Sequence, residues 1–212
     1  MKIVSVVPIK LNNERLPGKN TKELGGRPLI QYILDTLLQE ERINDRYVYC
    51  SDKRIKDFLP EGIEFLERPS VLDESAANFT QIFDCFCKAV WADIYVYSHA
   101  TAPFITNQAL SDCINAVLSE KYDSAFTAVR IQDFLWQDGR PLNFDAENIP
   151  RSQDLKPIYR ESSGIYVYRR EVFEKMRRRI GKKPYICEIG YRESVDINEP
   201  ADFELAEWLI NM

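Results

Sequence analysis

Apolar positions along this chain switch repeatedly between two periods. Ile3, Val4, Val6 and Val7 make a short run over Lys2–Val7 that ends at Pro8, the pattern of a buried strand. Leu29, Ile30, Ile33, Leu34, Leu37 and Leu38 then recur at helical spacing and predict a helix over Pro28–Glu41, with proline in its first turn. Arg46–Cys50 reads as a second strand, Ile55–Leu59 as a short helix and Ile63–Leu66 as a short strand. Phe79–Val90 fits a helix with Ile82, Phe83, Phe86, Ala89 and Val90 on one face. Asp93–Tyr97 follows as a strand, Gln108–Ser119 as a helix through Leu110, Ile114, Val117 and Leu118, and Ser124–Val129 as a strand. This β-α rhythm predicts an α/β fold: a mainly parallel sheet with helices on both faces.

After Val129 the rhythm breaks. Phe134 to Pro157 is polar, rich in turn formers and interrupted by Trp136. A stretch of that length without regular structure is usually functional or part of an interface. It predicts one domain over residues 1–212 with an embedded lobe or interface segment near 131–162. Ile165–Tyr168 and Tyr185–Ile189 resume as strands. Pro200–Asn211 closes the pattern as a helix using Phe203, Ala206, Leu209 and Ile210. No internal repeat or low-complexity segment is present.

Composition narrows the possible partners. The 212 residues are 45% hydrophobic and 29% charged, the balance of an ordinary globular domain. A net charge of −5 argues against nucleic acid or an anionic membrane as the main partner. Five cysteines, an odd number, show neither a C-x-x-C pair nor zinc spacing. The first apolar run is too short for a signal peptide, and no stretch approaches the roughly 20 apolar residues of a membrane span. The expectation is a cytoplasmic protein with reduced thiols.

Against that acidic background the loop after the first strand stands out. It carries Lys10, Arg15 and Lys19 with Gly18 and Asn20. In a parallel sheet, the edge where strands end is where ligands bind, and cations with backbone amides there suit a polyphosphate. The segment is neither a Walker A motif nor G-x-G-x-x-G, and the missing glycine fingerprint counts against a dinucleotide-dependent oxidoreductase. A solvated loop with ordinary surface cations has even odds on these residues alone.

Four further groups hold candidate chemistry. Asp196 and Asn198 alternate on one side of an extended segment and both present oxygens, as Mg²⁺ prefers; Asn198 or Glu199 can instead cap the helix that starts at Pro200. Arg151 and Arg160, near Gln153 and Tyr159, suit bidentate contact with a sugar carboxylate or phosphate, or equally an interface loop. His99 is the only histidine; a general base and a simple hydrogen-bonding group are both open, with the second favoured. Arg68 follows a short strand and can reach a base or ribose, or form a loop salt bridge.

In their joint order these segments resemble the acylneuraminate cytidylyltransferases, the CMP-sialic acid synthetase family, and the related CMP-Kdo synthetases. The resemblance covers almost the whole chain. The family's I-P-A-R-x-x-S-K-x-x-P-x-K-N is similar to Val7-Pro8-Ile9-Lys10 through Pro17-Gly18-Lys19-Asn20, and its G-x-P-L-I to Gly26-Arg27-Pro28-Leu29-Ile30. Its V-S-T-D is similar to Tyr49-Cys50-Ser51-Asp52, its R-P to Arg68-Pro69 and its Q-P-T-S-P to His99-Ala100-Thr101-Ala102-Pro103. Its R-x-Q-x-L and N-G-x-x-Y resemble Arg151-Ser152-Gln153-Asp154-Leu155 and Ser162-Ser163-Gly164-Ile165-Tyr166. Its D-I-D resembles Asp196-Ile197-Asn198.

The resemblance implies a Rossmann-like nucleotidyltransferase with a small dimerisation lobe, working as a homodimer. It implies CTP and an acidic sugar as substrates, Mg²⁺ or Mn²⁺ as cofactor, and a CMP-linked sugar plus pyrophosphate as products. By the same resemblance Lys10, Lys19 and Asp196 are the catalytic set, and Lys10, Arg15, Lys19, Asn20 and Arg68 bind the nucleotide. His99, Thr101, Arg151, Gln153 and Tyr166 face the acceptor or the lobe, and Asp196 with Asn198 holds the metal. The chain departs from the family pattern at Lys10 for arginine, Glu14 for a cation, His99 for glutamine and Asn198 for a second carboxylate. These departures leave three alternatives beside a sialic-acid-like acceptor: Kdo, a phosphonate, or a catalytically silent nucleotide-binding homologue.

Overall fold

The computed structural model describes residues 1–212. In chain order its elements are β1 (Ile3–Pro8), the small ribbon β2 (Glu23–Leu24) and β3 (Arg27–Pro28), α1 (Leu29–Leu38), β4 (Asp45–Cys50), β5 (Glu64–Glu67) and α2 (Phe79–Ala89). They continue with β6 (Ile94–Ser98), α3 (Asn107–Leu118), β7 (Ser124–Ile131), the hairpin strands β8 (Trp136–Gln137) and β9 (Arg140–Pro141), β10 (Ile158–Arg169), α4 (Arg170–Met176), β11 (Pro184–Glu188) and α5 (Pro200–Ile210). The seven-stranded sheet runs β11-β7-β10-β6-β1-β4-β5. Its pairings are parallel except at β10, which runs antiparallel to both β6 and β7.

The pleat divides the core in two. Ile3 and Val7 of β1, Ile94 and Val96 of β6, and Ile165 and Val167 of β10 pack with α1 and α3. Val4, Val6, Tyr95, Tyr97, Tyr166 and Tyr168 point the other way, onto α2 and α4. That second face is aromatic. Phe83 lies 4.9 Å from Tyr95, 5.3 Å from Tyr168 and 4.7 Å from Phe173 between ring centroids, all edge-on, the arrangement ring quadrupoles favour. A third, smaller core joins Leu16, Leu24, Leu29, Ile197, Phe203 and Ala206, and ties the first loop to the C-terminal segment.

The structure differs from the periodicity in three places. α1 stops at Leu38, short of Glu41, because Arg46 donates to the carbonyls of Leu37 and Glu40 at 2.8 Å each and takes over the helix end. β10 is much longer than Ile165–Tyr168 and carries a bulge between Glu161 and Tyr166. There Ser163 takes a left-handed φ of 59°, and a Cβ on Gly164 would stand 2.5 Å from Ile105. α4, with only Val172 and Phe173 buried, has no counterpart in the predicted elements. Residues 132–157 leave the sheet between β7 and β10. They form the β8–β9 hairpin, with Phe134 and Trp136 packed edge-on against Phe144.

Two buried tyrosines make opposite predictions. The Tyr168 hydroxyl is buried without a partner, whereas that of Tyr95 donates to the Val90 carbonyl at 2.8 Å and accepts from Arg170. Tyr168→Phe is expected to raise stability by about 1 kcal/mol and Tyr95→Phe to lower it by about 1 kcal/mol, both read from urea unfolding midpoints.

Candidate active site

The strand ends at one edge of the sheet surround a cavity of about 390 Å³. β1 supplies its floor through Pro8, Ile9 and Lys10, and the end of β6 supplies Tyr97, His99, Ala100 and Thr101. Arg68 enters from the end of β5, Ser163 from β10, and Asp196 and Asn198 from the segment before α5. A neighbouring hollow of about 320 Å³ shares Lys10, Asn13, Lys19, Ser75 and Asn198 and adds Glu14, Arg15 and Leu16. Lys10, Lys19, Asn20, Arg68, His99, Thr101, Asp196 and Asn198 are therefore brought together, with Arg15 in the adjoining hollow.

The first loop is held open by its own backbone. Gly18 takes a φ of 66°, which permits the turn into the short 3₁₀ segment Lys19–Thr21. The buried Asn20 amide donates to the Lys10 carbonyl at 2.9 Å and closes the loop across its base. Leu16 sits in the third core, so the loop is anchored by apolar contact as well. Lys19 donates to the Ile197 carbonyl at 2.8 Å, and Lys10 to the Asp73 carbonyl at 2.9 Å. Both ammonium groups are thus positioned by backbone oxygens, which spend little of their charge. Burial lowers the Lys19 pKa, with nearby Asp196 opposing that shift and Arg15 adding to it.

Asp196 faces these cations. One of its oxygens accepts from the Thr101 hydroxyl at 2.5 Å and the other from the Asn198 amide at 2.9 Å. The main chain repeats the link, since the Ile197 amide donates to the Thr101 carbonyl at 2.8 Å. The Asn198 carbonyl oxygen points the other way, 3.3 Å from Arg15 and 3.4 Å from Lys19. Asn198 thereby orients the carboxylate and screens it from the two cations. Glu199 and Asp202 form a capping box at the start of α5, so capping and the carboxylate site use different residues of one segment.

Arg68 is buried and its guanidinium pairs with Asp73, whose other carboxylate oxygen accepts from Ser51. Its charge is committed, and its buried Nε has no partner. His99 is half-buried, with Nε2 sealed from solvent and unpartnered. Burial first, and Arg179 second, push the imidazole down to about 4, so it is neutral at physiological pH.

Three of the predicted acceptor residues stand apart from the cavity. Arg151 pairs with Asp154 at 2.7 Å on the exposed lobe, and the Gln153 carbonyl accepts from Gln132 there. The Tyr166 ring is fully buried on the aromatic face and its hydroxyl donates to Glu161. Sequence reasoning also passed over groups that the cavity includes. Asn13 lines both hollows and has a buried, unpartnered side-chain oxygen, Asp73 fixes Arg68, and Ser163 reaches the wall through its left-handed turn. Asn13 sits in the loop that the sequence singles out, but nothing in its spacing separates it from Asn12.

A doubly wound sheet whose first strand delivers cations opposite the Asp196 carboxylate defines a nucleotidyltransferase-type fold and site. The comparisons agree. A family model described as Cytidylyltransferase matches residues 4–208, and the chain belongs to that family. It is 26% identical to N-acylneuraminate cytidylyltransferase A of Danio rerio, over 97% of this chain and 50% of that protein. It is 25% identical to CMP-N,N'-diacetyllegionaminic acid synthase of Legionella pneumophila, over 100% of this chain and 97% of that one. The chain spans about half the length of the vertebrate relatives it matches. A solved CMP:2-keto-3-deoxy-manno-octonic acid synthetase complexed with CTP shares the fold at a TM-score of 0.74 and 19% identity, covering 100% of this chain and 99% of that one. A 4-diphosphocytidyl-2C-methyl-D-erythritol synthase from Anaerococcus prevotii does so at 0.71 and 14%, covering 100% and 97%.

The single histidine gives an unambiguous readout. Its NMR titration is expected to show a midpoint near pH 4; a midpoint above 6 would contradict the burial of Nε2. Because the folded pKa lies below the unfolded value, stability contributed by neutral His99 is present above about pH 6.5 and is lost as pH falls toward 4.

Proposed function

We propose that this chain is a CTP-dependent cytidylyltransferase that joins CMP to a hydroxyl of an acidic sugar and releases pyrophosphate. The observation that carries this reading is the opposition of Lys10 and Lys19 to Asp196 across one cavity at the strand ends, with Arg15 in the adjoining hollow. The family supplies the nucleotide class, and the legionaminic and acylneuraminate relatives motivate a nonulosonate acceptor.

The reaction is an in-line displacement. The acceptor hydroxyl oxygen bonds to the α-phosphorus while the bond from that phosphorus to the pyrophosphate oxygen breaks, and the hydroxyl proton leaves to solvent. Charge builds on the departing pyrophosphate. Lys10 and Lys19, preset by backbone carbonyls, and Arg15 stabilise it without reorganising in the transition state. Thr101 and Asn198 keep Asp196 fixed through the step, and neutral His99 hydrogen-bonds the acceptor.

Mg²⁺ or Mn²⁺ fits this donor set as a site with one protein carboxylate, Asp196, completed by phosphate oxygens and water. When bound, the cation supplies charge neutralisation at the α-phosphate. Asn198 would join as a ligand only by turning its carbonyl away from Arg15 and Lys19. The protein acts in the cytoplasm with its five thiols free, and pairs as a homodimer through the lobe, where Trp136 is 60% and Ile149 65% exposed.

Purified protein with CTP, Mg²⁺ and a panel of nonulosonates, Kdo and phosphonates is expected to release pyrophosphate and yield a product of CMP-sugar mass. CTP binding by thermal shift with no turnover across the panel would instead favour a silent homologue. Asp196→Ala is expected to reduce turnover at least a hundredfold while leaving the fold intact; full activity would remove Asp196 from the chemistry. Trp136→Glu is expected to convert the dimer to monomer by light scattering, and an unchanged mass would move the interface elsewhere.

A further inference from the structure

The cavity has two ends. One lies beside β5, where Arg68 and Asp73 are locked together, and the phosphate-facing cations occupy the middle, off β1. The other end lies beside β10, where His99, Tyr97 and Ser163 form the wall. β10 is antiparallel to β6, so its early residues Glu161–Ser163 stand at the same edge as the end of β6. An acceptor that attacks the α-phosphorus has this end left to it.

Just beyond that wall stands Arg179. α4 ends at Arg177 in a left-handed conformation, φ 57°, and the chain turns back over the aromatic face. The Arg179 guanidinium then lies 3.7 Å from the Tyr166 ring centroid and 5.9 Å from that of Tyr97. Its Nη2 donates to the Tyr166 hydroxyl at 2.8 Å and to Glu161 at 3.1 Å. Its Nε and Nη1 donors make no protein hydrogen bond, and the side chain remains 24% exposed. It is a stacked, oriented cation with free donors, set behind Tyr97 of the cavity wall, whereas Arg68 is closed off by Asp73 and Arg151 by Asp154.

We propose that Arg179 is the specificity-determining residue that receives the carboxylate of the acceptor, held in place by Tyr166 and Glu161. This rests on the cytidylyltransferase reading above. The stack fixes the guanidinium plane, and the Glu161 pair fixes its rotation, so the open donors point in a preset direction. Neutral His99, beside it, offers hydrogen bonding without repelling the cation or attracting a second anion. The acceptor is therefore a hydroxy acid whose carboxylate and attacking oxygen are close enough for Arg179 and the α-phosphate to engage both.

The test compares an acid with its uncharged twin. Steady-state kinetics are measured with whichever of N-acetylneuraminate, N,N'-diacetyllegionaminate or Kdo supports turnover, and with the carboxamide of the same sugar. Wild type is expected to prefer the acid at least tenfold in kcat/KM. Arg179→Gln should reduce that preference to within threefold by raising the KM for the acid, with the KM for CTP unchanged. Arg179→Lys, which keeps charge but loses the fork, should fall between, and it carries the test if the glutamine variant does not fold. An undiminished preference in both Arg179 variants overturns the proposal alone. No pyrophosphate release by wild type with any acceptor overturns it together with the cytidylyltransferase reading.

Discussion

Everything at this site depends on how one extended segment, residues 195–198, is pinned between two loops. The Ile197 amide bonds to the Thr101 carbonyl, the Ile197 carbonyl receives Lys19, and the Ile197 side chain is buried with Leu16 and Phe203. Those three contacts fasten the same residue to the end of β6, to the first loop and to α5. They set the separation between a carboxylate and the cations opposite it. Without that spacing Asp196 would pair directly with Lys19 or Arg15, and the charges facing the cavity would cancel. Thr101 and Asn198 serve the same end, because each satisfies one Asp196 oxygen with a neutral donor. A neutral Asn198 suits this arrangement: one group donates to the carboxylate and accepts from the cations.

The two halves of the sheet contribute differently. The parallel half, β6-β1-β4-β5, presents its strand ends and the loops that follow them, which is where backbone carbonyls and amides are free to organise cations. The antiparallel β10 breaks that pattern and brings its own N-terminal residues to the same edge. Its bulge spends a left-handed serine and requires a glycine against Ile105 to place Ser163 in the wall. The Ser163 end of the cavity is thus built from a strand that runs the wrong way for a simple doubly wound sheet.

Most of the fold was legible because the period of apolar residues is a local signal. Each strand of the parallel half and each of α1, α2, α3 and α5 carries its own pattern. What was not legible depends on partners distant in sequence. α4 buries only two side chains in seven residues, too few to register a period. The polar start of β10 is a strand because β7 pairs with it, although Arg160 and Glu161 look like loop residues. At the site, Lys10, Arg15, Lys19 and Asp196 were readable from their loops and motifs. Arg179 was hidden in a run of three arginines, and only its contact with Tyr166 and Glu161 distinguishes it from Arg178. Arg151 shows the converse: a promising local spacing whose partner is Asp154, three residues away.

The position of β10 also governs the order in which the molecule can be made. β7 pairs with β10 and β11 alone, and both follow it in the chain. Until residue 169 is available, β7 belongs to no sheet and β6 shows an open edge on the side away from β1. A growing chain therefore carries an unpaired β7 and an open edge of β6 across the entire synthesis of the lobe, with a four-stranded sheet complete beside them. Closure comes as one late insertion that joins the two parts and at the same moment brings Ser163 to the cavity wall. The cavity is among the last things this chain acquires, so a truncated or stalled product carries the cationic loop without the wall and the carboxylate that face it.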